Sequence, residues 1–188
     1  EQNLVAATTN FLLRNGTNTK TAFQINEHFE YYGAYVNRAC YNETATISMH
    51  CLSKHVGELL PVVKEMITES TMPSEELAIY QQNMKQRLKV SLKKSDFVAG
   101  RLIDVYLYGE KHPYGKYSSA EDFDALNRDQ LLHFYNEYYT QGKLILFVAG
   151  KLPANINALL DEHFGDLPNN PVEVKQHPLV LATEKKYR

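Results

Sequence analysis

The sequence predicts an α+β fold, with helices packed on one face of a largely antiparallel sheet. Apolar residues recur at helical spacing in several segments of the 188-residue chain, whereas residues 34–40 and 44–52 alternate apolar and polar side chains as strands do. Helices and strands do not alternate regularly along the chain, which argues against a βαβ repeat. A hydrophobic content of 44% in 188 residues can bury one substantial core, so one domain is the expected organisation.

Two helices are predicted before the first strand. The first, within residues 4–17, packs its apolar side chains in the core and ends at a turn marked by Gly16. The second is capped by Thr19 or Thr21, continues to about Tyr31 and is followed by Gly33. Its His28 has no second histidine at helical spacing, so a solvated or capping histidine is a better interpretation than a metal ligand.

An antiparallel hairpin is predicted around residues 41–43. In this register Cys40 faces residue 45, and Cys51 lies about six positions further along at about 3.3 Å each. That distance is too long for a disulfide between the two cysteines.

The second half of the chain is predicted to be mainly helical. A helix begins at Ser53, whereas Ser74 and Ser95 each cap a further helix, and capping boxes at Ser118-x-x-Glu121 and Asn127-x-x-Gln130 begin two more. Residues 144–149 form a continuous apolar run that predicts a buried strand, and a last helix is expected over residues 154–164.

Charge and composition exclude some classes of function. A formal net charge of −2, with acidic and basic residues interspersed, argues against a nucleic-acid-binding surface. No phosphate-binding loop, dinucleotide fingerprint, Cys/His zinc spacing or apolar run long enough to span a membrane occurs. The chain begins at Glu1 without a signal sequence, so we expect a soluble fragment of a longer protein, and any export signal would lie outside it. The sequence therefore does not indicate the cellular compartment.

Several short segments distributed over the chain form a pattern that is typical of one family. They are Gly16-Thr17, residues 33–37 with Glu43, His112-Pro-Tyr-Gly115, residues 131–139, Val-Ala-Gly150 and residues 163–168. Singly these segments are weak signals, but their order and spacing are specific. Over nearly its whole length the chain resembles the pitrilysin/insulinase family of zinc peptidases, which includes the mitochondrial processing peptidases. His112 therefore matches a loop of the family outside the metal site, which weighs against a catalytic histidine.

The resemblance also locates the family's zinc site, an inverted H-x-x-E-H motif on the first helix. Counting back from Gly16-Thr17, the two histidines correspond to Ala7 and Phe11 and the glutamate to Asn10; the third ligand, a glutamate, falls near Leu88. None of these side chains supplies the lone pairs or the base that a catalytic zinc needs. The expectation is a chain with no catalytic residues and no metal, inactive alone.

The resemblance implies an organisation and two competing functions. Residues 1–168 would be one metallohydrolase-like domain whose first strand precedes Glu1, and residues 169–188 a linker or the start of a following domain. The domain would enclose and position a peptide for a catalytic, zinc-bearing H-x-x-E-H subunit or second domain. The alternative is a structural assembly subunit that handles no peptide. A homodimer is also expected, because a missing strand leaves apolar surface or a strand edge uncovered.

The family adds substrate as a strand to the sheet edge that corresponds to Tyr35, Val36, Asn37 and Arg38. A small residue usually follows the asparagine, whereas Arg38 is long and charged, and it could obstruct a peptide or attract an acidic one. A chamber wall is favoured over a primary substrate strand. The simpler alternative is that Arg38 points into solvent, as a lone strand arginine usually does.

Overall fold

The computed structural model describes residues 2–170, so the linker or further domain predicted for residues 169–188 lies almost wholly outside the described residues. Within that range helices pack on one face of an antiparallel hairpin, which confirms the predicted α+β class. The elements are α1 (Gln2–Leu12), α2 (Ala22–Tyr31), β1 (Tyr35–Cys40), β2 (Ala45–His50), a 3₁₀ turn (Ser53–His55), α3 (Val56–Thr68), α4 (Ser74–Ser91), α5 (Ser95–Tyr108), α6 (Ala120–Asp124), α7 (Arg128–Tyr138) and α8 (Ile156–Phe164). No helix in the described range has the length and apolar character that crossing a bilayer requires.

The hairpin has the predicted register. β1 pairs with β2 from Tyr35 opposite His50 to Cys40 opposite Ala45, and the Tyr41 amide donates to the Thr44 carbonyl at 2.7 Å. Cys40 and Cys51 are both free thiols.

The register also decides which backbone groups point away from β2. Directly opposed pairs of an antiparallel ladder alternate between hydrogen-bonded and non-hydrogen-bonded. Since Tyr41 and Thr44 are a bonded pair, the amides and carbonyls of Val36, Arg38 and Cys40 face the outer edge of β1.

Two apolar clusters form the core on the helical face of the hairpin. The first, which we call the hairpin core, joins α2, β1 and α3 around Ile25, Phe29, Val36, Leu59 and Met66, with Phe164 of α8. The second, the helical core, joins α1, α4, α6 and α7 around Leu12, Leu13, Leu77, Phe123 and Leu131. Ile47 of β2 packs against both clusters, so the hairpin connects them.

Helix α1 differs from the prediction in its end and in its buried face. It ends at Leu12 rather than at Gly16, and Phe11 is 40% exposed although it was expected in the core. Thr8, Thr9 and Asn10 are buried instead. The apolar pattern misplaced the face because α1 is covered on more than one side, by the hairpin and by α7.

The predicted helix starts are correct to within two residues, except that α3 begins at Val56, after the 3₁₀ turn that starts at Ser53. The predicted capping box of Asn127 with Gln130 is confirmed at the start of α7, and Thr21, one of the two caps expected for α2, forms a further box with Gln24. The box before α6 lies one residue later than predicted, between Ser119 and Asp122. Ser74 and Ser95 are the first residues of their helices and not the caps, which are Pro73 and Lys94.

The buried strand predicted over residues 144–149 is wrong. These residues have no regular secondary structure, and Ile145 and Phe147 are 59% and 91% exposed. Leu144 packs against the hairpin core, but no strand of the described residues pairs with the run. An apolar run becomes a buried strand only when neighbouring strands satisfy its backbone groups, and here that partner is missing from the described part of the chain.

Candidate functional site

The residues that the resemblance assigns to the zinc-ligand positions lie on α1 and α4 and take part in packing contacts. Asn10 is 2% exposed, and its side-chain amide donates a hydrogen bond to the Tyr139 hydroxyl at 3.0 Å. Burial raises the pKa of Tyr139, so this hydroxyl stays neutral and available as a partner. The amide at Asn10 is therefore held in place by a residue that follows α7.

Phe11 lies between an aromatic ring and a guanidinium group. Its ring is tilted against Tyr80 of α4 with centroids 4.8 Å apart, and the Arg38 guanidinium lies 4.5 Å from the ring centroid. Leu88 packs at the margin of the helical core. Phe11 and Leu88, which the resemblance assigns to ligand positions, thus have packing roles.

These residues do not fit a zinc ion. Ala7 has only a methyl group, Phe11 and Leu88 have no lone pairs, and the Asn10 amide is neutral. Within residues 2–170, no three His, Cys, Asp or Glu side chains are grouped closely enough to hold a metal ion. The donor set that the family uses is absent at this position.

The residues of the predicted substrate edge divide between the two faces of β1. Val36 is buried in the hairpin core. Tyr35 and Asn37 point to the opposite, exposed face, where the Tyr35 ring stacks on His50 at 4.7 Å between centroids. No helix of the described residues buries Tyr35 on this face, since its side chain is 55% exposed.

Arg38 does not point into solvent, so the simpler expectation is wrong. Its Nη1 group donates to the Phe11 carbonyl and to Asn15 Oδ1, the latter at 3.3 Å. The Phe11 carbonyl belongs to the last turn of α1, where carbonyls have no partner within the helix, so Arg38 caps the end of α1. Burial, with a smaller effect from the charge of Arg14, lowers the pKa of Arg38 to about 10.

Arg14 is a residue of this edge that the sequence did not reveal. It follows α1, and its Nη1 group donates to the Val36 carbonyl at 3.0 Å. That carbonyl faces the outer edge of β1, so Arg14 occupies one of the backbone positions to which an added strand would bind. Spacing offers no signal for this contact, because Arg14 and Val36 are 22 residues apart and lie in different elements.

The Gly16-Thr17 pair forms a junction between α1, α2 and α3. Gly16 has φ of 152°, and a Cβ there would lie 2.8 Å from Pro73 Cγ. The Thr17 hydroxyl donates to Glu65 of α3, which also accepts hydrogen bonds from Thr19 at 2.5 Å and from Lys20 at 2.6 Å. Burial opposes ionisation of Glu65, but these hydrogen bonds outweigh it and lower its pKa.

The two histidines weighed at the sequence level have structural contacts. The Nε2 of His28 lies 3.1 Å from the Glu58 carbonyl, and its ring packs edge-on against Tyr32. His112 stacks on Tyr108 with centroids 5.3 Å apart and accepts at Nδ1 a hydrogen bond from the Tyr114 amide at 3.1 Å. Both contacts agree with the structural roles favoured for these residues.

Comparisons with known proteins agree with this geometry. Residues 125–188 match the model of the peptidase M16 inactive domain. An uncharacterized zinc protease of Bacillus subtilis, YmxG, is 26% identical over 151 residues, which cover 80% of this chain and 37% of that protein. Subunit 1 of the mitochondrial cytochrome b-c1 complex of Caenorhabditis elegans is 19% identical over 179 residues, which cover 94% of this chain and 38% of that protein.

A solved structure has the same fold over nearly all of the chain. The peptidase M16 inactive domain from Pseudomonas fluorescens superposes with a TM-score of 0.83 at 25% identity, covering 94% of this chain and 44% of that one. The chain spans less than half the length of each of these relatives.

The fold is α+β and is similar to that of the solved peptidase M16 inactive domain. The resemblance to the pitrilysin/insulinase family is confirmed, and the comparisons support a domain of the inactive type.

Proposed function

We propose that this chain is a zinc-less, non-catalytic domain of a pitrilysin/insulinase-family metallopeptidase. It helps to enclose a peptide and to position it for hydrolysis by a zinc-bearing H-x-x-E-H domain, either a partner subunit or a second domain. The observation that supports the proposal is the packing of the residues assigned to the zinc positions, above all the contact of Asn10 with Tyr139, within a fold similar to that of a peptidase M16 inactive domain. Residues 1–168 are proposed as this domain.

The outer edge of β1 supports a peptide-positioning role. Val36, Arg38 and Cys40 direct their amides and carbonyls away from β2, and Tyr35 and Asn37 project from the exposed face between them. An extended peptide bound at this edge would be held mainly by main-chain hydrogen bonds, which tolerate many sequences.

Proline substitutions test the edge with a matched control. Cys40→Pro removes an outward amide on the β1 edge, and Ala45→Pro removes one at the paired position on the β2 edge, so neither interrupts the ladder between the strands. We expect Cys40→Pro to raise the KM of the assembled peptidase for an extended peptide several-fold, and Ala45→Pro to leave it unchanged. The first requirement is that the chain co-purifies with an H-x-x-E-H protein and that hydrolysis needs both.

A structural assembly subunit is the alternative function. Two observations favour it: Arg14 occupies the Val36 carbonyl on the edge that a peptide would use, and the chain is similar to a subunit of the cytochrome b-c1 complex. Stable association with a membrane complex, together with a KM that neither proline variant changes, would support this alternative and contradict the peptide-positioning role.

A further inference from the structure

Two arginines converge at the outer edge of β1 from different elements. Arg14 reaches the Val36 carbonyl from the segment after α1, and Arg38 extends from β1 back to the end of α1. They lie close enough for the charge of Arg14 to affect the ionisation of Arg38. Burial lowers the pKa of each guanidinium, which means that the protein partly dehydrates two like charges side by side.

The hydrogen-bonding capacity of the two guanidinium groups is not used up. A guanidinium has five N–H donors. Arg14 donates from Nη1 to one carbonyl, and Arg38 donates from Nη1 to the Phe11 carbonyl and to Asn15. The Nε of Arg38 is buried without a hydrogen-bond partner. All the acceptors in use are neutral.

No carboxylate of the described residues is within ion-pair distance of either arginine. Glu30 raises the pKa of Arg14 through its charge, but burial outweighs that effect. The Asn15 amide nitrogen donates a hydrogen bond to the Glu76 carboxylate at 2.6 Å, and the Asn15 amide oxygen accepts one from Arg38. Glu76 is therefore linked to Arg38 only through the neutral amide of Asn15. Partly buried charges are normally paired, and this pair lacks a direct anionic partner.

The position of the arginines indicates that an anion would reach them as part of a peptide bound at the β1 edge. A strand that pairs along β1 as far as Val36 uses the Val36 carbonyl, and it therefore competes with Nη1 of Arg14 for that acceptor. The displaced guanidinium would be left beside the bound peptide and next to Arg38. A carboxylate on that peptide would accept charge-assisted hydrogen bonds from Arg14, whereas a neutral peptide would offer no compensation.

We propose that Arg14 and Arg38 form a carboxylate-recognition site on the β1 edge, which makes this domain select extended peptides that carry a carboxylate near the bound segment. The inference rests on the proposed peptide-positioning function and adds the substrate class. Two sources supply the same chemistry, namely an acidic side chain within the peptide and the C-terminal carboxylate.

The test measures the binding of labelled extended peptides by fluorescence anisotropy. The protein is the intact one that contains this domain, in complex with its partner. The catalytic glutamate of the H-x-x-E-H motif is replaced by glutamine so that the peptides are not hydrolysed. Three peptides share one apolar sequence: neutral with an amidated C-terminus, neutral with a free C-terminus, and amidated with one internal glutamate. We expect one or both carboxylate-bearing peptides to bind about tenfold more tightly than the neutral one, as for a hydrogen bond to a charged group. Which of the two gains identifies the source of the carboxylate.

The variants are Arg14→Gln and Arg38→Gln, with Lys93→Gln, an exposed lysine just after α4, as a control that removes the same charge. We expect Arg14→Gln to abolish the preference and to leave binding of the neutral peptide equal or tighter, because the Val36 carbonyl becomes free. Arg38→Gln also removes the α1 cap, so Arg14→Gln decides the result if the other variant unfolds.

Each outcome bears on the proposal. A preference that survives in Arg14→Gln, or equal binding of all three peptides to the unsubstituted protein, overturns carboxylate selection and leaves the peptide-positioning function standing. Failure of every peptide to bind overturns both. A preference lost equally in Lys93→Gln attributes the effect to overall charge and overturns the site.

Discussion

Asn10 and Tyr139 are joined by a hydrogen bond of 3.0 Å between the Asn10 amide and the Tyr139 hydroxyl, across 129 residues of sequence. By the resemblance to the family, Asn10 corresponds to the glutamate that activates water. The contact is a buried, neutral pair that ties α1 to the segment after α7. Its function is therefore to hold the fold together.

A double-mutant cycle measures this contact. Asn10→Ala leaves Tyr139 without its partner and removes buried volume, and Tyr139→Phe leaves the amide nitrogen of Asn10 unpaired at a site that is 2% exposed. We expect each variant to lower the free energy of unfolding by about 1–3 kcal/mol, with a coupling of about 1 kcal/mol between them. Denaturant unfolding of the four proteins gives these values. Effects that add to within about 0.3 kcal/mol would show that the hydrogen bond contributes nothing.

The zinc positions make a second prediction. The isolated chain is expected to bind no zinc at the family position and to hydrolyse no peptide, because Ala7, Asn10, Phe11 and Leu88 offer no suitable donor set. Metal analysis after purification in zinc-containing buffer measures this. About one equivalent of tightly held zinc that is lost on mutation within residues 4–17 would contradict it. The same analysis of the intact protein asks whether another domain holds the metal.

Gly16 makes a third prediction. An alanine there would place its Cβ 2.8 Å from Pro73 Cγ and 3.2 Å from Thr71 Oγ1, at a backbone φ that side chains rarely adopt. We expect Gly16→Ala to lower the free energy of unfolding by about 1–3 kcal/mol. The control is Gly100→Ala, within α5, where nothing lies within 4 Å of the new Cβ and helix propensity predicts a gain of about 0.5–1 kcal/mol. Equal effects at the two glycines would contradict a special role for Gly16.

Local patterns predicted much of the fold because they act over a few residues. The alternation in residues 34–40 and 44–52 determines which side chains share a face, so it led to the hairpin and to the pairing of Cys40 with Ala45. The side chains of Asn127 and Gln130 satisfy backbone amides at the start of α7, and that requirement is visible at a spacing of three residues.

Features that depend on distant partners could not be predicted in this way. The run at residues 144–149 has the composition of a buried strand, but burial depends on neighbouring strands that composition does not supply. The direction of Arg38 was equally open, since a long side chain reaches either solvent or the carbonyls at the end of α1. The contacts of Asn10 and Arg14 cross helix and strand boundaries, and no spacing rule encodes them.

Glu65 makes a fourth prediction, on pH dependence. Its pKa is lowered in the folded state by hydrogen bonds from Lys20, Thr17 and Thr19, which outweigh the effect of burial. The stability it contributes is therefore fully present above the ordinary carboxyl pKa of 4.5 and is lost as the pH falls through the lowered value of the folded state. Glu65→Gln should lower the free energy of unfolding at neutral pH by about 1–2 kcal/mol. It should also make that free energy decrease less steeply as the pH falls below about 4.5.

The free energy of unfolding is measured for Glu65→Gln and for a control, Glu58→Gln, between pH 3 and pH 7, about the range in which carboxyl groups titrate. Glu58 is an exposed glutamate on the same helix. Only the first variant should change the slope of stability against pH. Parallel curves for the unsubstituted protein and Glu65→Gln would show that the junction at Gly16-Thr17 does not depend on the Glu65 charge.

The exposed run at residues 144–149 makes the last prediction. Ile145 and Phe147 are 59% and 91% exposed, and no strand of the described residues covers them. Uncovered apolar segments with free backbone groups tend to associate with one another, so we expect this chain to dimerise at high concentration. Phe147→Lys should weaken that association, because it places a charge in the middle of the run, whereas Phe23→Lys on α2, at a side chain that is 72% exposed, should not. Light scattering over a range of concentrations measures both, and a monomeric mass for the unsubstituted chain at the highest concentration would contradict the prediction.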